Sequence, residues 1–558
     1  MKIFVGALFS SWCFLIAVSS ARAQTKATVT LYVNAQHPQA ADSNPGTETL
    51  PLKTIKTAAT AAVENNKQRI STQIIIFPGT YRESIDLGFN GQETETPIIF
   101  EAKEKGATII SGSEVWGDWV QQGSTDIYTH PWPYKWGLAP YPTGWEGWIT
   151  LQPIVRRREV IFVNGQLLDQ ELSSQDLKKG SFYVAEEEGR VYIRPTPGID
   201  IKVATIEVAV RSQIFQMHGK RNITLRGLRF QHDNTPVQGS AVEIINSSDI
   251  LIEDCQFVWN NWSGLGLVDS RGVTVRGNTA NYNGALGMSG WKLKTLLLEN
   301  NDTSYNNWRG VKGGFTDWGV AGLKMLLVHD GTYRGHTAIG NQARGFWLDT
   351  DCIDILMENA FLCQNLTDGV FLEANQGPMI LRNNTICQNQ ESGLLIGNSS
   401  NVTLEENTVY GNKDTQIRVG GGDARPVTDW ETGQAYSLVS DHWIWRKNAF
   451  AGNAPSQMLM VTTLSPALWQ PFGQSLDSHN NVWFEPGQNN VFVVPGGAHV
   501  DLKGWQSATG KDANSVFMDP GFVDPAHGNF SLLLNSPLRT VAGWTPPIAP
   551  GGLRCVDK

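Results

Sequence analysis

Between Gly345 and Asn375 apolar and polar positions alternate in two copies of one short pattern. Gly-Phe-Trp-Leu-Asp at 345–349 returns 24 residues later as Gly-Val-Phe-Leu-Glu at 369–373. A third copy, Gly-Leu-Leu-Ile-Gly at 393–397, keeps the apolar positions and carries no acid. Alternation with a period of two predicts strands, and a repeat of this length predicts one supersecondary unit stacked on its neighbours. Strands this short and evenly spaced do not suit a helical solenoid, so each copy is predicted as one coil of a parallel β-helix. Phe346, Leu348, Val370 and Leu372 then fall on the inner face. Trp347, Asp349 and Asp351, followed one coil later by Phe371, Glu373 and Asn375, fall on the outer face.

The same patterning divides the rest of the chain. Val29, Leu31 and Val33 alternate in a first strand. From Thr54 the spacing of Ile55, Ala58, Ala59, Ala62 and Val63 predicts a short helix that caps the open end of the solenoid. Residues 24–110 are thus predicted as cap and first coils. Residues 111–210 break the rhythm and suggest antiparallel hairpins, an inserted β subdomain rich in tryptophan (Trp116, Trp119, Trp132, Trp136, Trp145, Trp148). Packing of the insertion is the preferred role for these rings; stacking on sugars is the alternative. The main β-helix occupies 211–420, where Cys255, Asn278 and Asn301, then Asn384 and Asn407, recur every 23 residues. Asn at a fixed corner predicts a hydrogen-bonded ladder between coils. After Gly420 the pattern fades, and 421–558 is predicted as an excursion and a cap that wraps back along the coils. The fold class is therefore all-β, a parallel β-helix with a capping helix and an inserted subdomain.

The N-terminus predicts that the chain is exported. Residues 1–23 have a basic start at Lys2, an apolar stretch from Ile3 to Val18 and Ala-Arg-Ala before Gln24, the pattern of a cleaved signal peptide. Export to the exterior or the periplasm is the expectation. Cleavage removes Lys2 and Arg22 from the 44 basic residues and no acid from the 53, leaving a net charge of −11. An acidic exported chain is a poor nucleic-acid or membrane binder. Five cysteines remain, an odd number that does not make a disulfide framework. Cys363 and Cys387 stack in adjacent coils, with a packed pair of thiols preferred over a disulfide.

Chemistry is expected where the acids stack. Neighbouring strands lie about 4.8 Å apart, so Asp349 and Glu373 are predicted as outward neighbours near 5 Å, about the carboxylate spacing of retaining glycosidases. Like charges that close raise one pKa and keep one group protonated. Trp308, Arg309, Asp317, Trp318, Lys324, His336, Trp347, Phe371, Asn375 and Gln376 are the candidate groove residues, offering aromatic platforms and polar contacts to a carbohydrate. His329 and Asp330 adjoin Gly331 and are assigned to a turn.

Two stretches carry a resemblance. Asn44-Pro-Gly, Pro51-Leu-Lys-Thr-Ile and Phe77-Pro-Gly-Thr-Tyr resemble the entry to secreted right-handed β-helix proteins of the pectate-lyase-like superfamily, which mostly act on polysaccharides. Gly345-Phe-Trp-Leu-Asp349 with Phe371-Leu-Glu-Ala-Asn-Gln-Gly-Pro378 resembles β-helical glycoside hydrolases, β-xylosidase-like enzymes among them. That resemblance implies Asp349 as nucleophile and Glu373 as acid/base, with no cofactor. It departs at Thr350-Asp351, where an aromatic is expected, and leaves Asp351 as a third acid able to hold water in an inverting variant. Two other readings stay open. In a polysaccharide lyase, Asp349, Asp351 and Glu373 would bind Ca²⁺ and Lys324 or Arg309 would abstract a proton. In a non-catalytic carbohydrate-binding β-helix, the stacked acids would repel to no purpose.

Overall fold

The computed structural model describes residues 28–88 and 96–539; the predicted signal peptide lies outside them. Each rung contributes up to three strands, as in Arg344–Asp349, Ile353–Glu358 and Phe361–Cys363. The next rung repeats them as Val370–Glu373, Met379–Arg382 and Thr385–Cys387, each paired in parallel with its counterpart. The molecule is therefore a three-walled parallel β-helix. Its interior holds the inward alternates, among them Phe346, Leu348, Val370 and Leu372, all fully buried.

Two corners are held by amide ladders. Asn260, Asn283, Asn306, Asn341, Asn365, Asn389 and Asn412 form one, each Nδ2 donating to the Oδ1 of the next at 2.8–3.1 Å. Gln416 Oε1 accepts from the last. Each Asn of this column also meets the backbone, so buried peptide groups at the bend find partners that water cannot supply. The second corner runs through Asn278, Asn301, Asn384, Asn407, Asn448 and Asn481. On the outside of the second wall, register stacks opposite charges in turn: Glu253, Arg276, Glu299, Arg334, Glu358, Arg382 and Glu405. Arg334 and Arg382 both reach Glu358, at 2.7 and 2.6 Å. These half-exposed pairs add little energy singly, but a one-rung slip would set like charges side by side.

Helix Ile55–Lys67 starts at Thr54, whose hydroxyl accepts from Thr57 N–H, and buries Ile55, Ala58, Ala59 and Ala62 over the first strands. The insertion spans strands Ser113–Val115 to Ile206–Ala209 and makes two small sheets. They are antiparallel except where Asp169–Glu171 runs parallel to Ser181–Ala185. The expectation that coils end near Gly420 is corrected: Ile444–Arg446, Met458–Thr462, Asp477–His479 and Phe492–Val494 continue the parallel pairing. The excursion is only the stretch between Gly420 and Ile444, with an antiparallel hairpin of Arg425–Thr428 and Ala435–Leu438. Beyond the last coils, the hairpin of Phe522–Asp524 and Asn529–Leu532 does wrap back, packing Phe522, Phe530 and Leu532 near Phe361, Cys363 and Cys387. Cys363 and Cys387 form a disulfide, correcting the preference for thiols; their paired register brings the Cα atoms to 4.5 Å.

The excursions frame the first wall. The insertion and the loop around Asp317 leave at its leading edge, and the 421–443 excursion leaves at its trailing edge. The outer face between them is where Asp349 and Glu373 stand.

Candidate active site

Outward positions of the first wall form two columns. Register aligns Ser289, Lys324, Trp347, Phe371 and Leu395 in one. The other holds Trp291, Leu326, Asp349, Glu373, Gly397 and Gly420. Asp349 and Glu373 are direct partners on adjacent rungs, whose spacing is about 4.8 Å.

Each acid has its own cation. Lys324 Nζ lies 2.9 Å from Asp349 Oδ2, and Thr350 Oγ1 donates to Asp349 Oδ1 at 2.9 Å. Glu373 Oε1 accepts from Arg425 Nη1 at 2.5 Å. The repulsion expected from the spacing alone is thus offset on both rungs. Burial pulls the Lys324 pKa below its ordinary value, and the charge of Asp349 opposes that shift.

On the leading side of Asp349 a pocket of about 560 Å³ opens. Trp145 from the insertion, Trp318 from the loop and Trp291 from the column line it with Trp262, Lys324 and Asp349. Trp291 and Trp318 remain 41% and 47% exposed, leaving ring surface for a ligand. Trp145 and Trp318 meet edge to face at 6.4 Å. Of the tryptophans in the insertion, Trp132 is buried and Trp116, Trp119 and Trp136 pack around it, whereas Trp148 is exposed.

Several candidate residues stand elsewhere. Trp347 is only 4% exposed, with Lys324 at 3.2 Å and Arg344 at 4.7 Å over its ring, so it is no sugar platform. Arg344 also covers Phe371 at 4.8 Å and pairs with Asp368 and the exposed Asp317. Asp351 is fully buried past the end of the strand. Its Oδ1 accepts from Gln376 Nε2, and its Oδ2 accepts from Trp430 N–H at 2.8 Å and faces His329 Nε2 at 3.3 Å. Asp351 is therefore not a third acid of the groove, and Gln376 serves it rather than a ligand. Asn375 points inward, donating to Leu348 O and accepting from Cys352 N–H. Trp308 donates to Tyr282 O and packs near Phe162. Arg309 is buried and binds Ile154 O, Glu159 O and Gln170, fastening the insertion to the coils. His336 occupies the place in its rung where other rungs have a ladder Asn, bonded to Thr303, and burial depresses its pKa to about 3.

The predicted calcium set does not fit. Calcium needs six to eight converging oxygens, but Asp349 is engaged by Lys324, Glu373 by Arg425, and Asp351 lies in the corner with other partners. His329 stands, as its assignment to a turn expected, at the corner where the long strand Ala321–Arg334 bends, flanked by Leu327 and Asp330 with φ of 56° and 60°, and it reaches both Asp351 and Glu431. Burial disfavours its charged ring, but Asp351, Glu431 and Asp429 outweigh that and raise its pKa. His329, Asp351 and Asp429 approach within 4.8 Å of one another, and hydrogen bonds already engage all three.

Sequence reasoning missed Trp291, Arg344 and Arg425. Trp291 shares the column of Asp349, but the 35-residue step from Asn306 to Asn341 hides that alignment. Arg344 immediately precedes the repeat and could have been noticed there.

The fold is that of a right-handed parallel β-helix protein, with paired acids on one outer wall. Residues 213–429 match the family model described as a right handed beta helix region. The chain is 22% identical over 536 residues, 92% of each chain, to the uncharacterized protein YwoF of Bacillus subtilis (strain 168). A solved structure titled as the complex of XylC with xylose aligns with a TM-score of 0.63 over 89% of this chain and 87% of its own, at 16% identity. Another, titled glycoside hydrolase, aligns with a TM-score of 0.50 over 85% and 99%, at 12% identity. At such identities the two structures speak for the fold. Among the described residues no helix is long and apolar enough to cross a membrane.

Proposed function

We propose that this chain is a carbohydrate-active enzyme that hydrolyses a glycosidic bond with retention of configuration. The observation that carries the reading is the register pairing Asp349 with Glu373 on adjacent outward positions, beside a pocket walled by Trp145, Trp291 and Trp318. A sugar ring stacks in the pocket with its anomeric carbon toward Asp349. In the first step Glu373 gives a proton to the leaving oxygen, the bond from the anomeric carbon to that oxygen breaks, and an Asp349 oxygen bonds to the carbon. In the second step Glu373 takes a proton from water, whose oxygen displaces Asp349 and restores the original configuration. Lys324 holds the Asp349 carboxylate at 2.9 Å throughout.

The test incubates the protein with a glycan panel and reads reducing ends and product anomer by NMR. Xylosides belong in it because the XylC structure was solved with xylose. Reducing ends with retained anomer, falling about 10²–10⁴-fold in Glu373→Gln and abolished in Asp349→Asn, are expected. Inversion, or activity indifferent to both substitutions, would refute the assignment. One observation favours β-elimination as a second reading: Lys324, with a lowered pKa, faces the pocket as a base would. Unsaturated product absorbing in the ultraviolet, lost in Lys324→Met, would decide for it.

A further inference from the structure

We infer that Arg425 is a positioning residue for Glu373, delivered by a hairpin strap that the solenoid corner locks in place. The inference rests on the glycosidase reading and concerns the leaving-group side of the same site.

The strap has three attachments. Val427 and Leu438 are buried with Tyr436 against Ala374, the residue that follows Glu373. At the hairpin tip, Trp430 N–H donates to Asp351 Oδ2 at 2.8 Å, His329 bridges Asp351 and Glu431 at 3.3 and 3.5 Å, and Lys294 pairs with Glu431. At its base Asn398 Nδ2 donates to Leu438 O at 3.1 Å and Asp423 O at 3.2 Å. Ala374, Asp351 and Asn398 lie within two residues of the Asp349–Glu373–Gly397 column, and His329 and Lys294 lie on the two rungs before it. The placement of Arg425 is therefore tied to the rungs that carry the two acids. Beyond Glu373 the column continues as Gly397 and Gly420, which present no side chain to compete with it.

Arg425 meets Glu373 at 2.5 Å, and the pocket lining ends at Asp349, one rung short of Glu373, so Arg425 bears on the site through that carboxylate. When Glu373 gives its proton to the leaving oxygen, the new negative charge forms opposite a guanidinium held within hydrogen-bond reach. A charge-assisted bond of this kind is stronger than a neutral one and directional, so it also fixes which oxygen of Glu373 faces the glycosidic bond. A leaving group that needs no proton gains nothing from this arrangement.

The experiment uses the full chain and a series of aryl glycosides from nitrophenyl to phenyl, of the sugar that the glycan panel identifies. It compares wild type, Arg425→Met, Arg425→Lys and Glu373→Gln by kcat/KM, which reports the first step. Arg425→Met is expected to lose about ten- to hundredfold on phenyl glycosides, a part of what general acid catalysis supplies, and less than about threefold on nitrophenyl glycosides. Arg425→Lys recovers most of the loss. Equal losses across the series would overturn the proposal, because a merely structural role does not distinguish leaving groups. A crystal structure of Arg425→Met gives a reading independent of activity. Glu373 turned away from Asp349 supports the proposal, and Glu373 unmoved overturns it. Wild type without hydrolysis, or hydrolysis untouched by Glu373→Gln, would sink the glycosidase reading while the crystal structure still decides whether Arg425 places Glu373.

Discussion

Lys324 is the residue whose removal the structure prices most clearly. Its side chain is 12% exposed and that of its partner Asp349 13%, so solvent screens their 2.9 Å contact only weakly. Lys324→Met leaves the Asp349 carboxylate buried without a cation. Breaking such a pair from one side costs about 3–5 kcal/mol, whereas replacing both partners with apolar groups is often neutral. In a stacked-coil protein the cost falls mainly on the rungs concerned. Hydrogen exchange read by mass spectrometry on peptides covering 321–334 and 344–349 is the suitable assay. At about 1.4 kcal/mol per tenfold, protection of those strands is expected to fall between about two and nearly four orders of magnitude, with coils before residue 250 unchanged. The double variant Lys324→Met with Asp349→Leu is expected to regain most of that protection. A fall of less than tenfold in the single variant, or a double variant as labile as the single, would refute the reasoning.

Two further outcomes follow from other parts of the molecule. The pKa of His329 is raised in the folded chain, so its bond to the strap is fully present below the ordinary imidazole value near 6.5. That stabilisation is lost as pH rises through the higher folded value. Protection factors at 425–438, exchange rates divided by the intrinsic rate at each pH, should fall across that window and stop changing with pH in His329→Gln; a wild type whose protection does not change with pH would contradict the assignment. Asn365→Ala removes donors to Ala338 O and Asn389 and an acceptor for Asn341 N–H and Nδ2. Each buried polar group left unpaired costs about 1–3 kcal/mol, so a clear drop in denaturation midpoint is expected, and an unchanged midpoint would deny the ladder its role.

The uninterrupted repeat made the central site legible. From Gly345 to Gly397 rungs are 24 residues long, so counting along the chain gives register, and register places Asp349 beside Glu373. Where loops lengthen a rung, counting fails. The step of 41 residues from Asn407 to Asn448 concealed the later coils, and the step of 35 from Asn306 to Asn341 hid Trp291. The misplacement of Asp351 and Asn375 has a different origin. Alternation was carried two residues past each strand, but Thr350, Asp351 and Ala374 have φ of 49°, 55° and 53°. A left-handed residue turns the chain out of the strand, so parity counted across it no longer says which side chain faces inward.

What the sequence determined by itself is what depends on neighbours along the chain and on a constant period: the β-helix, its amide corners, its capping helix and the stacking of two acids. The tertiary structure alone decided what covers those acids and which walls shape the pocket. Arg425 is 52 residues from Glu373, and Trp145 is 204 residues from Asp349. Such pairings arise because excursions from distant rungs fold over the same wall, where burial and opposite charge hold them, and no local pattern encodes the meeting.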